Sequence, residues 1–379
     1  MKKQIIALYL PSLIGGGAER VMFMLANAFA SRGYRVDLVL AKAEGPYVSD
    51  VSEQVRIVDL GASRVIASLP GLMRYLREER PVAVLSAMGH ANVVAVVARA
   101  LARVSARVVV SEHAHFSSSQ ANASSVVRSR AMGSMMRWAY PRADGIVAVS
   151  KGVADDLASA IGVPRAGIEV VYNPVATDDL GALSQQEPDH AWLAPDGPPV
   201  VLGVGRLTAQ KDFSTLIHAF ARVRAGREAR LMILGDGNRR QELEALIKRL
   251  GLVNCVSLPG FVTNPYAYAR RAALFVLSSR WEGFGNVLVE AMACGTPVVS
   301  TDCPSGPAEI LEDGVWGRLV PVGDAEALAK AMEATLEEPE HPDVVKRAAA
   351  FDVDQAVDGY LGALLAGAGP TLPKSGPPG

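Results

Sequence analysis

Apolar residues along this chain gather in short runs, separated by longer stretches in which they recur every three or four positions. In the first half the runs are Ile5–Leu10, Arg35–Leu40, Val55–Val58, Val82–Ser86, Arg107–Ser111, Gly145–Val149 and Glu169–Tyr172. In the second half they are Val200–Val204, Ala229–Leu234, Cys255–Leu258, Leu274–Leu277 and Pro297–Ser300. Helical spacing marks Ala18–Ser31, Val93–Arg103 and Val353–Leu365. Strands of nearly continuous Val, Ile and Leu that alternate with helices predict parallel sheets covered on both faces. The pattern occurs twice, so the expected architecture is α/β, with two Rossmann-like doubly wound domains.

Between the halves lies Asn173–Pro199, which is polar and carries Pro174, Pro188, Pro195, Pro198 and Pro199. That composition predicts a linker. A first domain is expected over 1–175 and a second over 195–350. A helix over 351–366 can pack back on the first domain, and a Gly/Pro-rich disordered tail is expected over 367–379. Two such domains facing each other leave a cleft between the carboxyl ends of their sheets, where ligands of this architecture bind.

Composition narrows the function classes. At 379 residues with half of them apolar, the chain can fill two cores. A net charge of −1 lacks the basic field of a nucleic-acid binder. Cys255, Cys294 and Cys303 are odd in number and without paired spacing, which argues against a disulfide framework or a zinc cluster and for a reducing cytoplasm. Lys2 and Lys3 precede the run Ile5–Leu10 as in a signal peptide, but Pro11 breaks it and no small-residue cleavage pattern follows. The uncharged stretch Val82–Ala98 holds Gly89, His90 and Asn92, and reads as strand, turn and helix rather than a membrane span. The expected location is the cytoplasm, with a peripheral place at the inner face of the cytoplasmic membrane left open.

Four loops carry candidate chemistry. Gly15-Gly16-Gly17-Ala18-Glu19-Arg20 follows the first strand. It is neither the dinucleotide fingerprint nor a Walker A loop, and it serves either a tight turn or close approach to an anion at a helix start. Gly203-Val204-Gly205-Arg206-Leu207 ends the first strand of the second half, with Lys211-Asp212 behind it. Arg206 as a fork and Lys211 as a point charge can hold a diphosphate, or can stand as solvated surface cations. Gly235-Asp236-Gly237 makes a turn at the same sheet edge. The fourth loop runs Glu282-Gly283-Phe284-Gly285-Asn286-Val287 and continues on a helix through Glu290 to Gly295-Thr296-Pro297. Its helix start can receive phosphate, Glu282 can reach a sugar, and Glu290 can accept hydrogen bonds from ribose hydroxyls. His113 sits just past the strand Arg107–Ser111, in Glu112-His113-Ala114-His115, with His115 a rival two residues on.

Taken in this order over roughly residues 4 to 366, these elements resemble the large family of retaining glycosyltransferases of the two-domain GT-B fold. That family includes bacterial mannosyl-, glucosyl- and N-acetylhexosaminyl-transferases. The resemblance implies Arg206 and Lys211 on the diphosphate of a nucleotide sugar, UDP expected over GDP, and Glu290 on the ribose. It implies Glu282 and the Gly283–Gly285 backbone on the transferred sugar, with Phe284, Asn286 and Val287 in the donor site beside Gly235 and Asp236. Gly16 and Gly17 would close on the phosphates, Glu19 and Arg20 would meet the acceptor, and His113 would contact the donor sugar. The order Glu-His-Ala-His departs from the commonest family forms.

No Asp-x-Asp motif stands in the cleft loops, so no metal or other cofactor is expected and the cations take a metal's place. The resemblance implies retention at the anomeric carbon, by same-face attack in which the leaving phosphate helps to deprotonate the acceptor. The closer likeness is to bacterial enzymes that extend polyprenyl-diphosphate-linked glycans and surface polysaccharides, which implies a lipid-linked or oligosaccharide acceptor. The segment Val126–Tyr140 places Arg128, Arg130 and Arg137 among Val126, Val127, Met132, Met135, Met136 and Trp138. It reads as a helix able to lie on an anionic membrane surface, or as a domain helix with a solvated charged face. A sugar-nucleotide epimerase on the same fold and a non-catalytic nucleotide-sugar-binding partner subunit are the competing readings.

Overall fold

The computed structural model describes residues 4–122 and 125–366. Two parallel sheets organise them. The first holds β1 (Ile5–Leu10), β2 (Arg35–Leu40), β3 (Val55–Asp59), β4 (Ala83–Ala87), β5 (Arg107–Glu112), β6 (Gly145–Ala148) and β7 (Ile168–Val170), in the order β3-β2-β1-β4-β5-β6-β7. The second holds β8 (Val200–Val204), β9 (Arg230–Leu234), β10 (Val256–Gly260), β11 (Leu274–Leu277), β12 (Val298–Thr301) and β13 (Arg318–Val320), in the order β10-β9-β8-β11-β12-β13. Both sheets reverse their winding between the first and fourth of their own strands, at β1/β4 and at β8/β11. A crevice opens at such a point because the flanking loops leave in opposite directions.

Burial on both faces explains the unbroken apolar strands. In β1, Ile6, Leu8 and Leu10 pack with Met22, Leu25 and Phe29 of the helix Gly17–Ser31, whereas Ala7 and Tyr9 face the layer of Leu72, Leu76 and Val94. The period-two alternation therefore sorts one strand between two cores.

The chain passes between domains twice, at one place. The backbone N–H groups of Val175 and Ala176 donate to Phe351 O at 3.0 and 3.1 Å, and Ala176 bridges Asp352 in parallel. Tyr172, Phe284 and Phe351 cluster there with ring centroids 5.3 to 5.5 Å apart. The final helix, Val353–Leu365, then lies on the first sheet. Its Tyr360, Leu361 and Leu364 join the core of Ile6, Leu8 and Leu10, and Arg107 Nε donates to Ala363 O at 2.8 Å.

The segment Asn173–Pro199 is more ordered than its composition predicts. It holds a helix, Asp178–Ser184, and a turn at Ala191–Leu193, with Leu180 and Leu193 buried. Asn264 Nδ2 ties it to the second domain through Leu183 O at 2.8 Å. Its apolar stripe is too short to show as a period. β13 leaves no apolar run in the sequence, being three residues that begin with an exposed Arg318. The tail 367–379 lies outside the described residues, among which no helix is long and apolar enough to cross a membrane.

Candidate active site

Loops leaving β8, β9 and β11 build one wall of the cleft. Gly205 and Gly235 both take positive φ, +156° and +124°, and they approach so closely that a Cβ on Gly235 would overlap the Gly205 carbonyl. Only glycine allows that meeting of two backbones. Leu207 N–H donates to Asp236 O at 2.9 Å, and Asp236 turns its own carboxylate back to accept from Gly237 N–H at 2.7 Å. Arg206 stands exposed on this loop. Lys211 reaches the loop after β11, where Nζ donates to Glu282 Oε1 at 2.6 Å. Ser279 Oγ donates to the same oxygen at 2.6 Å, and Lys211 O accepts from Ser278 Oγ at 2.8 Å. The Lys211–Glu282 pair is nearly buried, at 15 and 8 % side-chain exposure.

Past Glu282, the Phe284 ring is buried in the aromatic cluster at the crossing, and its carbonyl lies against Gly306. Gly285, at φ +103°, opens the helix Asn286–Ala293, which carries Val287 in its first turn and a buried Glu290 one turn in. That helix start supplies free N–H groups and the positive end of its dipole to the cleft.

The first domain supplies the other wall. Gly15, Gly16 and Gly17 follow β1, and Gly17 faces the Asn286 amide across the cleft. Glu19 folds back over Gly16 in the first turn of the helix. Arg20 crosses to the second domain. Its Nη1 donates to Glu290 Oε1 at 2.5 Å and its Nη2 to the hydroxyl of Tyr266, so the structure places Arg20 against the donor-side glutamate that sequence reading assigned to ribose.

His113 follows β5, and its carbonyl lies against Gly283, where any Cβ would overlap it. The imidazole Nε2 is 3.0 Å from Ser111 Oγ, which is in turn 3.0 Å from Tyr360 OH of the final helix. Burial lowers the His113 pKa to about 4, so the ring is neutral at pH 7. Its Nδ1 is buried without a hydrogen-bond partner among the described residues, and so are Asn173 Oδ1 and Ser305 Oγ. All three line the junction of the two domains: Asn173 Nδ2 donates to Asn286 Oδ1 at 2.8 Å, and Ser305 presses on Gly152. His115 is occupied elsewhere, capping the helix Phe116–Ala121 through Nδ1.

Sequence reading missed several groups here. Glu309 sends both carboxylate oxygens across the cleft to Lys151 N–H and Gly152 N–H, each at 2.8 Å, at the start of the helix Lys151–Ile161. Ser150 Oγ donates to Gly283 O at 2.7 Å. Met88 takes φ +77° directly after β4, which leaves His90 exposed at the β1/β4 crevice. Glu112 is buried at the end of β5, accepting from Asn92 Nδ2 at 3.0 Å and from the Tyr140 hydroxyl. Desolvation raises its pKa to about 7, against those two hydrogen bonds. A positive φ on a non-glycine residue and a carboxylate inside an apolar layer leave no mark in a hydrophobicity pattern.

Residues 15–179 match the family described as Glycosyltransferase Family 4, and residues 184–350 match Glycosyl transferases group 1. The lipopolysaccharide core biosynthesis glycosyltransferase LpsE of Rhizobium meliloti is 30 % identical over 326 residues, which cover 84 % of this chain and 85 % of that protein. The chain belongs to the GT-B glycosyltransferases. This glycosyltransferase is also 37 % identical over 218 residues to the N-acetylgalactosamine-N,N'-diacetylbacillosaminyl-diphospho-undecaprenol 4-alpha-N-acetylgalactosaminyltransferase of Campylobacter jejuni, a match that spans 56 % of this chain and 58 % of that protein's length. Its fold is that of HepE from Anabaena, solved in complex with UDP, with a TM-score of 0.76 at 24 % identity over 95 % of this chain and 99 % of that one. Its relatives thus include transferases of bacterial lipopolysaccharide and of lipid-linked glycans.

Proposed function

We propose that this glycosyltransferase moves a hexose or N-acetylhexosamine from a UDP-sugar to a polyprenyl-diphosphate-linked or polysaccharide acceptor, without a metal and with retention at the anomeric carbon. The observation that carries this reading is the convergence of Lys211 on Glu282 at 2.6 Å, beside the Arg206 loop and below the helix start at Asn286. Cations and free N–H groups stand where a leaving diphosphate gathers charge, and a buried carboxylate stands where a sugar's hydroxyls donate. The unpartnered His113 Nδ1 and Asn173 Oδ1 support a polar ligand between the domains, because buried polar atoms are otherwise satisfied.

In this reading Arg206, Lys211 and the helix dipole stabilise the departing diphosphate. The C1–O bond to phosphate breaks as the acceptor oxygen attacks C1 from the same face. The acceptor proton passes to a phosphate oxygen. Neutral His113 offers a sugar hydroxyl a hydrogen-bond partner rather than a charge. The UDP bound in HepE and the undecaprenol-linked glycan of the Campylobacter enzyme support UDP and a lipid-linked acceptor as the probes to try.

The test is a panel of α-linked UDP- and GDP-sugars offered with an undecaprenyl-diphosphate glycan in excess EDTA. Transfer should proceed from a UDP-sugar, and NMR should show an α-anomeric product. A strict requirement for manganese or magnesium, or a β-linked product, would sink the mechanism. Conversion of the sugar nucleotide without transfer would favour an epimerase.

A further inference from the structure

The ion pair between Arg20 and Glu290 joins residues 270 positions apart, one from each domain. Glu290 has 9 % of its side chain exposed and Arg20 has 27 %. Arg20 is held on two sides, with Nη1 on Glu290 Oε1, Nη2 on the Tyr266 hydroxyl and its guanidinium carbon 5.6 Å from that ring's centroid. Glu290 Oε2 accepts no hydrogen bond from any described residue. The carboxylate therefore has one oxygen fixed by the opposite domain and one open.

A carboxylate this buried is stable only beside a counter-charge. Ribose hydroxyls donate hydrogen bonds but bring no charge, and a bound nucleoside would strip more water from the site. Exchange of Arg20 for a ribose would leave both the carboxylate and the guanidinium unpaired. The geometry favours a ternary arrangement, with Arg20 kept on Oε1 and the vicinal hydroxyls on Oε2. Arginine suits the role because its planar fork grips a carboxylate and a phenol at once.

We infer that Arg20 is the positioning residue of the ribose site: reaching from the first domain, it fixes the Glu290 carboxylate so that its second oxygen meets the 2′,3′-diol of the donor. The inference rests on the reading of Glu290 as the ribose acceptor, and it takes Arg20 away from the acceptor side where the family pattern put it.

The experiment measures binding of UDP and of 2′,3′-dideoxy-UDP by calorimetry to wild type, R20M, E290Q and the double variant. Loss of one hydrogen bond to a charged group weakens binding by roughly tenfold or more. R20M should weaken UDP by about that factor and the dideoxy analogue by less than about threefold, so that discrimination of the diol collapses. The double variant should bind UDP no more weakly than E290Q, because two residues acting through one contact are not additive. R20Q replaces R20M if the latter does not fold. Equal weakening of both nucleotides, or discrimination unchanged in R20M, overturns the inference while leaving Glu290 in place. If E290Q itself keeps the discrimination, the ribose reading fails and this inference goes with it.

Discussion

Arg206 and Lys211 differ in burial, and the difference separates two effects that one substitution usually mixes. Arg206 is exposed, so Arg206→Ala should leave the melting temperature unchanged while turnover falls by about two orders of magnitude, as when an electrostatic stabiliser is lost. Lys211→Ala should lose as much turnover and also stability, by about 3 kcal/mol, since Glu282 is left charged and buried. Parallel calorimetric scans and initial rates check both. Near-normal turnover in folded Arg206→Ala and Lys211→Ala removes the diphosphate clamp. Gly283 makes a third case. A Cβ there would overlap the His113 carbonyl, which is backbone and cannot swing aside. Gly283→Ala should keep each domain's circular dichroism yet hold the cleft open, giving a larger radius of gyration by X-ray scattering and a turnover lower by roughly a hundredfold. A compact, active Gly283→Ala would show that closure does not need this contact.

At the scale of the element, the end of β5 and the residue after it carry a buried carboxyl and a half-buried imidazole that titrate with opposite effect. Burial raises the Glu112 pKa to about 7 from the usual 4.5 of a free carboxyl, so its protonated form favours the fold. That contribution is present in acid and is lost as pH rises through 7. His113 has its pKa lowered, to about 4 against 6.5, so its neutral form favours the fold. That contribution is present above pH 6.5 and is lost as pH falls toward 4. The two slopes oppose each other between pH 4.5 and 6.5 in the wild type. Glu112→Gln should turn this into stability that rises steadily with pH. His113→Gln should leave stability that falls toward pH 7. Denaturant melts at half-unit pH intervals read both, and identical profiles in all three proteins would show that neither group titrates on folding.

The same strand shows how far sequence carries. Its run of Arg107, three valines and Ser111 is apolar for lack of any polar face, which locates the strand and the edge where His113 stands. The glycines Gly205, Gly235 and Gly283 were legible as loop glycines past the ends of strands. Their partners were not, because Gly283 meets His113 only after both domains have folded. Phe284 read as a ligand contact and is a core ring, since its neighbours Tyr172 and Phe351 come from the crossing between domains. Arg20, Tyr266 and Glu309 likewise act across the cleft, over sequence distances that no local spacing records.

For the whole molecule, the proposed lipid-linked acceptor makes contact with a membrane surface the point to test. The helix Val126–Ala139 turns Met136 inward and leaves Val126, Val127, Met135 and Trp138 at 42 to 79 % exposure. Arg128 and Arg130 share its open side, whereas Arg137 is anchored to Ala160 O at 2.9 Å. Each cation near an anionic bilayer contributes about 1 kcal/mol, and the exposed apolar groups add to that on insertion. The protein should float with anionic vesicles and release in high salt, as screening weakens the attraction. Arg128→Glu with Arg130→Glu, which spares the structural Arg137, should remain in solution. It should lose transfer to lipid-linked acceptors while hydrolysing donor as before. A wild type that ignores anionic vesicles and serves a soluble acceptor equally well would end the membrane reading.

The return of the last helix to the first sheet also bears on how the chain is made. Tyr360, Leu361 and Leu364 finish a core begun by Ile6, Leu8 and Leu10, so the first domain to leave the ribosome is the last to be completed. The entire second domain must be translated in between, a wait of roughly ten to forty seconds at ~5–20 residues per second. Through that interval the part of this face that the helix Gly17–Ser31 does not cover stays open to water. The ribosome-bound chain, rather than the finished enzyme, is therefore the form of this protein most exposed to aggregation and most in need of a chaperone.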